Sequence, residues 1–199
     1  MEHPLPTDLL LQPLLLKRYS PRAFSDKAVD KQILHRIFEA ARWSASCNNE
    51  QSWRFIVGAK NSGDTYQKIY DCLLDGNKRW VTYAPVLVLI CSSKEFSYNH
   101  SNNPWHLYDA GQAAVHITIQ ALHEGIQVHQ MAGFYPQKAT DAFAIPPEFA
   151  VVTIMALGYA GDPAMLDDDL RAKEIAPRIR KPLSDIVFSG NWGNPCDCI

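Results

Sequence analysis

Two groups of basic residues near opposite ends of the chain have the chemistry to bind a phosphate. The groups comprise Arg18, Tyr19, Ser20 and Arg22 near one end, and Arg178, Arg180 and Lys181 near the other. Guanidinium forks match pairs of phosphate oxygens, and a serine hydroxyl adds a neutral donor. If the fold brings the two groups together, they would hold a phosphate monoester. The alternative is that these side chains are solvated surface residues without a ligand.

A polar loop is predicted between a helix that ends near residue 43 and a strand that begins at residue 53. The loop includes Ser44, Ser46 and Asn49, with Ala45 between the two serines. Backbone and side-chain groups in such a loop can contact the polar rim of a planar heterocycle. An ordinary connecting loop would have a similar composition.

Two further segments carry groups suited to a flat, polar ligand. Asn77 has both donor and acceptor atoms, so it can pair with the imide edge of a heterocycle. Gly133 follows Ala132 after a predicted strand, and glycine there lets a ligand approach the backbone closely. The alternatives are a helix terminus at Asn77 and a plain turn at Gly133.

The helix and strand patterns place these residues in loops and at helix ends. Apolar spacing and capping residues predict helices at residues 7–11, 30–43, 64–75, 105–124 and 136–143. Apolar runs rich in β-formers predict strands at residues 53–58, 86–90, 126–130 and 149–157. Thr7 is the expected cap of the first helix, Pro13 is expected to interrupt it, and Gly76-Asn77 to break the third. The continuous apolar run at 86–90 is typical of a strand buried on both faces.

The length of 199 residues predicts one domain over residues 1–199. The mixture of strands and helices predicts an α+β fold, with a central, mostly antiparallel or mixed sheet flanked by helices. The segment from about residue 160 to residue 199 is an extended C-terminal segment with little periodicity. Such a segment needs a surface to pack on, and a second subunit is the simplest one. The helix at 105–124 carries small residues, including Ala110, Gly111 and Ala114, on a face that another backbone could approach.

Composition argues against several classes of protein. The net charge of −2 argues against a nucleic-acid ligand, and no apolar stretch is long enough to span a bilayer. Five irregularly spaced cysteines argue against a disulfide framework, so we expect a cytoplasmic protein in a reducing compartment. The seven histidines lack the close spacing of a zinc site, and we expect no metal.

Taken in order, these segments resemble the motifs of the nitroreductase family. Residues 18–24 resemble its opening Arg-x-Ser-x-Arg/Lys signature, and residues 44–53 resemble its Ala-Pro-Ser-x-x-Asn-x-Gln-Pro-Trp loop. Residues 108–114, 131–136, 157–159 and 180–183 resemble its central helix, its flavin-facing turn and its closing elements. The resemblance extends from about residue 14 to about residue 188. Ala45 and Ser52 stand where the family has proline, which changes the stiffness of the loop.

The resemblance implies a homodimer that holds FMN in two interface sites, with the C-terminal extension crossing to the partner subunit. The residues implied for the FMN phosphate and ribityl chain are Arg18, Ser20, Arg22, Arg178 and Arg180, with backbone contact from Tyr19 and Lys181 as a further candidate. Asn77 would face the flavin pyrimidine edge, and Ala132 and Gly133 would place a backbone N–H near flavin N5 and O4. The residues implied to come from the partner subunit are Ser44, Ala45, Ser46 and Asn49.

The implied activity is electron transfer from NADPH or NADH through FMN to a small aromatic acceptor, a nitroaromatic or a quinone. One flavin face would serve donor and acceptor in turn, so ping-pong kinetics are expected. Because the chemistry would take place at flavin N5, no catalytic side chain is predicted. Aromatic residues that would line the acceptor pocket, or else pack in the core, are Trp80, Trp105, Tyr108 and Phe134.

Other reactions and one other class of protein stay open at this point. Proteins of the same fold dehalogenate aromatics, fragment reduced flavin or oxidise azolines. A flavin-binding redox sensor without turnover is the second class, and the Cys196-Asp197-Cys198 sequence is the feature that favours it.

Overall fold

A four-stranded antiparallel sheet is the centre of the computed structural model, which describes residues 10–198. The strands are β1 Trp53–Ala59, β2 Val86–Ser93, β3 Gln127–Met131 and β4 Phe149–Gly158, and their order in the sheet is β1-β2-β4-β3. The α-helices of the described part are α1 Pro13–Lys17, α2 Lys31–Arg42, α3 Thr65–Asp71, α4 Asp75–Val81, α5 His106–His123, α6 Pro136–Ala142 and α7 Asp168–Ile175. The predicted α+β class and antiparallel sheet are therefore confirmed.

Strand β2 is buried on both faces, as its apolar run predicts. Side chains alternate along a strand, so successive residues of β2 belong to different core clusters. Val86, Val88 and Ile90 pack in one cluster with residues of α2 and α5. Leu87 and Leu89 pack in the other, with residues of α3, α4, α6 and α7. Each buried Val, Leu or Ile stabilises the fold by about 1.5–3 kcal/mol relative to exposure. The sheet therefore gains stability from the helices on both of its faces.

Four of the predicted helices form, as α2, α3, α5 and α6, and a side-chain cap is bonded at the start of α2. Asp30 accepts the backbone N–H of Gln32 at the start of α2, and the helix ends at Arg42 before the Trp43 cap. Helix α5 has eighteen residues and is followed by Gly125 in the left-handed conformation. Its Ala110 and Ala114 are buried within the chain, on the side that packs against α2 and the sheet, whereas Gly111 is exposed. The small-residue face thus serves mainly the chain's own core.

The sequence predictions are wrong in three regions, namely the first helix, the end of the third predicted helix and the C-terminal segment. Pro13 does not end a helix but occupies the first position of α1, where a missing N–H breaks no intrahelical bond. Thr7 lies outside the described residues, and Leu10 and Leu11 are not helical. Gly76 and Asn77 lie inside α4, because the chain turns earlier, where the backbone N–H of Leu74 donates to the carbonyl of Gly133 at 3.0 Å.

The third error concerns the C-terminal segment, in which helix α7 forms despite weak periodicity. Asp168 and Asp169 lie in its first turn, where carboxylates favour the helix dipole. Leu170 and Glu174 are its two buried residues. From Ala176 onward the described chain has no further α-helix, as the irregular composition predicts. Within residues 10–198, no helix combines the length and apolar character needed to cross a bilayer.

Candidate functional site

The two basic groups lie together in one cleft, although about 160 positions separate them in the sequence. The cleft is lined by Arg18, Tyr19, Ser20, Arg22, Lys173, Glu174, Ala176, Pro177, Arg178 and Arg180. All the predicted phosphate-binding residues except Lys181 are therefore part of the same surface. We call this surface the basic cleft.

Arg178 ties the two ends of the chain together directly. Its guanidinium donates to the carbonyl of Leu16 at 2.8 Å and to the carbonyl of Arg18 at 2.9 Å. The Arg18 guanidinium in turn donates to the Ser20 hydroxyl at 3.4 Å. The C-terminal segment therefore packs on the segment that carries the opening basic motif.

The close approach of the arginines has an electrostatic consequence. The pKa of Arg18 is lowered, first by burial and then by the positive charges of Arg180 and Arg178. Like charges held this close are unfavourable unless an anion is bound between them. An anion with several acceptor oxygens is the ligand that such a cleft favours.

The segment after Arg22 is fixed against the end of strand β4. The backbone N–H of Gly161 donates to the carbonyl of Ala23 at 3.0 Å, and that of Ser25 donates to the carbonyl of Tyr159 at 2.9 Å. A Cβ at Gly161 would lie 2.5 Å from the backbone of Phe24, so only glycine permits this approach. The basic residues are thus attached to the rigid sheet.

His129 on β3 also contacts the segment that carries the first basic group. Its Nδ1 lies 2.7 Å from the carbonyl oxygen of Pro21, and this pair requires the proton on Nδ1. Its ring lies 4.4 Å from that of Trp80. Burial lowers the pKa of His129 to about 4, with smaller contributions from the charges of Arg22 and Arg18. His129 is therefore a neutral donor at neutral pH.

Glu174 is a buried carboxylate within the basic cleft, with 4% of its surface exposed. It accepts the backbone N–H of Arg22 at 2.7 Å and the backbone N–H of Ala23 at 3.4 Å. The pKa of Tyr19 is raised, first by burial and then by the negative charge of Glu174. Glu174 therefore connects helix α7 to the segment that carries the basic motif.

Asn77 and Gly133, predicted to face the edge of a heterocycle, are in direct contact. The Asn77 side-chain amide donates to the Gly133 carbonyl at 2.9 Å. A Cβ at Gly133 would lie 2.7 Å from the Asn77 amide nitrogen, so the pair needs glycine. Gly133 and the adjacent, exposed Ala132 directly follow β3, the strand that also carries His129.

The polar loop does not line the basic cleft of its own chain. It is attached to α5 instead, because the buried Asp109 carboxylate accepts the backbone N–H of Cys47 at 3.0 Å. Ser46 accepts the backbone N–H of Gln51 at 3.0 Å. Ser44 is buried, and Ala45 and Asn49 are exposed. The four predicted residues of this loop are thus separate from the basic group within one chain.

The loop has an unusual backbone. Asn48, Asn49 and Gln51 have φ values of 53°, 55° and 51°, in the left-handed region. Asparagine enters this region more easily than most residues, but glutamine at φ 51° is strained. Strained backbone of this kind is concentrated at functional sites.

Ser52, one of the two departures from the family motif, has a structural role. Its hydroxyl accepts a hydrogen bond from the Ser92 hydroxyl at 3.0 Å, and both residues are buried. Proline at position 52 would leave that donor with one partner fewer. Serine in place of proline therefore makes the loop less stiff but adds a buried hydrogen bond between the residue before β1 and strand β2.

Of the four candidate aromatic residues, two pack in the core and two are exposed. Trp80 and Phe134 are buried in the core cluster that contains Leu87 and Leu89. Trp105 and Tyr108 are 55% and 67% exposed, so only these two can meet a ligand without a rearrangement. All five cysteines are free thiols. In the described range, no group of three or more potential ligands is placed to hold a metal ion.

A second, larger cavity of about 470 Å³ lies elsewhere, lined by residues of both charges such as Glu50, Arg54, Lys94 and Glu148. The basic cleft has a smaller volume of about 370 Å³. Charge rather than size decides between them, because only the basic cleft concentrates several guanidinium groups. We take the basic cleft as the candidate site.

Three residues that support the basic cleft or the polar loop are not among the sequence predictions. His129 and Glu174 hold the backbone of the first basic segment, and Asp109 holds the backbone of the polar loop. Asp109 lies within residues 108–114, which resemble the family's central helix, whereas His129 and Glu174 belong to no motif, because each acts on a segment remote in sequence. The segment around Glu174 was expected to be irregular, so nothing marked that residue.

Comparisons with known proteins show which family and which structures the chain is similar to. The sequence matches the model of the nitroreductase family over residues 15–79. A solved structure described as an oxidoreductase containing FMN is 32% identical and has a TM-score of 0.89, with 94% of this chain and 96% of that chain covered.

Two further relatives come from sequence comparison. A 15.4 kDa protein of Mycolicibacterium smegmatis, uncharacterised in function, is 31% identical over 149 residues, or 71% of this chain and 99% of the relative. A protein of Archaeoglobus fulgidus, provisionally named NADH dehydrogenase/NAD(P)H nitroreductase, is 25% identical over 154 residues, or 75% of this chain and 84% of the relative. The family model covers the segment from Arg18 to Asn77, and the structural match extends over nearly the whole chain. The chain is a member of the nitroreductase family.

Proposed function

We propose that this protein is an FMN-dependent oxidoreductase that passes electrons from NADPH or NADH to flat, electron-poor acceptors such as nitroaromatics or quinones. Support comes from one similar solved structure, an oxidoreductase containing FMN, and from one relative that is named an NAD(P)H nitroreductase. The basic cleft adds independent support, because its chemistry fits a phosphate monoester.

The convergence of the two basic groups is the observation on which the proposal depends. FMN carries one phosphate monoester, and the cleft offers the guanidinium groups of Arg18, Arg22, Arg178 and Arg180 beside the Ser20 hydroxyl. The pKa of Arg18 is lowered by burial and then by the charges of Arg180 and Arg178, so a bound dianion would offset the repulsion among these cations. These residues would therefore hold the phosphate end of the cofactor.

Asn77, Ala132 and Gly133 would contact the flavin ring. The Asn77 amide is already oriented by its hydrogen bond to the Gly133 carbonyl, a contact that the absence of a Cβ at Gly133 permits. When bound, FMN supplies a reversible two-electron carrier. The protein would bind and orient it, and the proposal assigns no catalytic side chain.

The proposal includes a homodimer in which the polar loop of one subunit reaches the flavin of the other. Within one chain the loop lies away from the basic cleft, while its strained backbone favours a role in binding. Exposed apolar side chains on α5 and in the C-terminal segment offer a surface for the second copy. Donor and acceptor would use the same open face in turn, which gives ping-pong kinetics.

The visible absorption spectrum of the purified protein tests this proposal. We expect a yellow protein that is bleached by NADPH or NADH and recovers its colour when menadione or nitrofurazone is added. A colourless protein that cannot be reconstituted with FMN would refute the proposal.

A matched pair of variants tests the phosphate site. Arg180→Gln removes a cation from the cleft, and we expect the FMN dissociation constant to rise by about ten- to a hundredfold. Arg171→Gln is the control, because Arg171 lies on α7, pairs with Asp168 at 2.6 Å and does not line the cleft. Equal affinities in the two variants would contradict the assignment of the phosphate site.

A further inference from the structure

Glu174 carries a negative charge, although the cleft that it lines is suited to an anionic ligand. Its neighbours in the lining include the cationic side chains of Arg18, Arg22, Lys173, Arg178 and Arg180. A carboxylate among them repels any bound anion, and by charge alone its removal should strengthen phosphate binding. The geometry of Glu174 points to the opposite effect.

Both described hydrogen bonds of Glu174 come from backbone N–H groups. The carboxylate accepts from Arg22 at 2.7 Å and from Ala23 at 3.4 Å, and 4% of the residue is exposed. Buried donors that lose their acceptor are unfavourable, so these two bonds hold the backbone at the point where the basic motif ends. Arg22 itself lines the cleft.

Other contacts fix the same segment at different atoms. The carbonyls of Arg18, Pro21 and Ala23 are bound by Arg178, His129 and Gly161 respectively. Only Glu174 is described as holding the N–H side of Arg22 and Ala23. Glu174 also lies four residues before Arg178, at the end of the helix that leads into the second basic group.

We propose that Glu174 is a positioning residue, whose hydrogen bonds to the Arg22 and Ala23 backbone aim the side chains of the first basic group at the phosphate. Its net effect is to strengthen binding of a phosphate-bearing ligand despite its negative charge. The identity of that ligand as FMN rests on the proposed function.

Two variants separate hydrogen bonding from charge. Glu174→Gln removes the charge and leaves one N–H facing an amide NH₂ group, whereas Glu174→Asp keeps the charge and shortens the side chain by one methylene. Positioning predicts that both variants bind FMN about tenfold more weakly than the wild type. Repulsion alone predicts tighter binding by Glu174→Gln and unchanged binding by Glu174→Asp.

Riboflavin is the matched ligand because it lacks the phosphate. We expect its dissociation constant to change little in both variants, so that the ratio of FMN to riboflavin dissociation constants rises. Asp168→Asn is the matched control on the same helix, because Asp168 is exposed and pairs with Arg171 outside the cleft. An unchanged or lowered ratio in Glu174→Gln, or an equal rise in Asp168→Asn, would overturn the inference. A purely structural defect would weaken both flavins alike and would also overturn it.

Amide hydrogen exchange without any ligand gives an independent readout. In both Glu174 variants we expect faster exchange at Arg22 and Ala23, with unchanged exchange in strand β4. If the wild type binds neither flavin, the proposed function fails, and inorganic phosphate then serves as the probe in a thermal-shift titration. Weaker stabilisation by phosphate in the Glu174 variants would still support the inference, and equal or stronger stabilisation would overturn it.

Discussion

At the scale of single residues, the site is organised by side chains that bind backbone groups. Arg178 donates to the carbonyls of Leu16 and Arg18, and Asn77 donates to the carbonyl of Gly133. Such a contact fixes the position of a backbone segment and needs only one side chain, because its other partner is a backbone carbonyl. The remaining donors of Arg18 and Arg22 can then serve a ligand, so the cleft is organised before anything binds.

His129 gives a pH-dependent prediction at this scale. Its pKa is about 4 in the folded protein because of burial, against an ordinary value of 6.5 in the unfolded chain. As pH falls from about 6.5 to 4, the unfolded state binds a proton that the folded state does not. Stability is therefore lost over this range, by roughly 3 kcal/mol in total, and levels off below it.

Urea unfolding between pH 4 and pH 7 checks the prediction for His129. The variant His129→Gln keeps a donor for the Pro21 carbonyl but does not titrate, so its stability should decline less steeply towards pH 4. His35→Gln is the control, since His35 is exposed on α2. Parallel pH profiles for the wild type and His129→Gln would show that burial of this ring does not set the acid sensitivity.

At the scale of elements, α5 anchors the polar loop as well as the core. One side of the helix packs on α2 and the sheet, and Asp109 in its first turn reaches the loop through the N–H of Cys47. The Asp109 carboxylate holds Cys47, which directly precedes the strained residues Asn48 and Asn49. The proposed contribution of the loop to a second subunit therefore depends on α5.

The substitution Asp109→Ala tests this anchoring. It leaves the part-buried N–H of Cys47 without its acceptor, so we expect a loss of about 1 kcal/mol in the free energy of unfolding. Amide exchange at Cys47 should become faster, while exchange in β2 stays slow. Asp109→Asn retains an acceptor oxygen and is the control. Slow exchange at Cys47 in Asp109→Ala would mean that the loop is held by other contacts.

At the scale of the whole molecule, the single chain leaves a set of large apolar side chains exposed. Leu107, Tyr108 and Val115 are exposed on α5, and Ile179 and Trp192 in the C-terminal segment are 82% and 93% exposed. Exposed apolar side chains of this size are candidates for an interaction surface when they lie together. The exposed set fits the proposed homodimer, with two copies covering each other's α5 and C-terminal segment.

The substitution Val115→Glu tests the proposed dimer. Light scattering should give the wild type twice the mass of one chain and should show the variant as a folded monomer, because Val115 is 54% exposed in one chain. If the partner's loop completes the flavin site, the variant should also bind FMN more weakly. Ser62→Glu adds the same charge in an exposed turn and should remain a dimer. A dimeric Val115→Glu would place the interface elsewhere.

Much of the local structure follows from the sequence alone, because its causes are local. The alternation of β2 between two core clusters, the Asp30 cap of α2 and the length of α5 are determined by neighbouring side chains and capping chemistry. The order of the motifs along the chain likewise identifies the family without coordinates. Pro13, Gly76 and α7 were predicted wrongly because contacts remote in sequence, or a proline at the first helical position, outweighed local propensity.

Only the tertiary structure decides which residues share a site. The sequence marks Arg18 and Arg178 as candidates, but their meeting across 160 positions depends on how α7 and the following segment pack. Glu174 and His129 belong to no motif, and the motif around Asp109 does not reveal its contact with Cys47, because a side chain that binds distant backbone needs no particular neighbours in sequence. Burial and hydrogen-bond geometry, which exist only in the folded chain, give these three residues their roles.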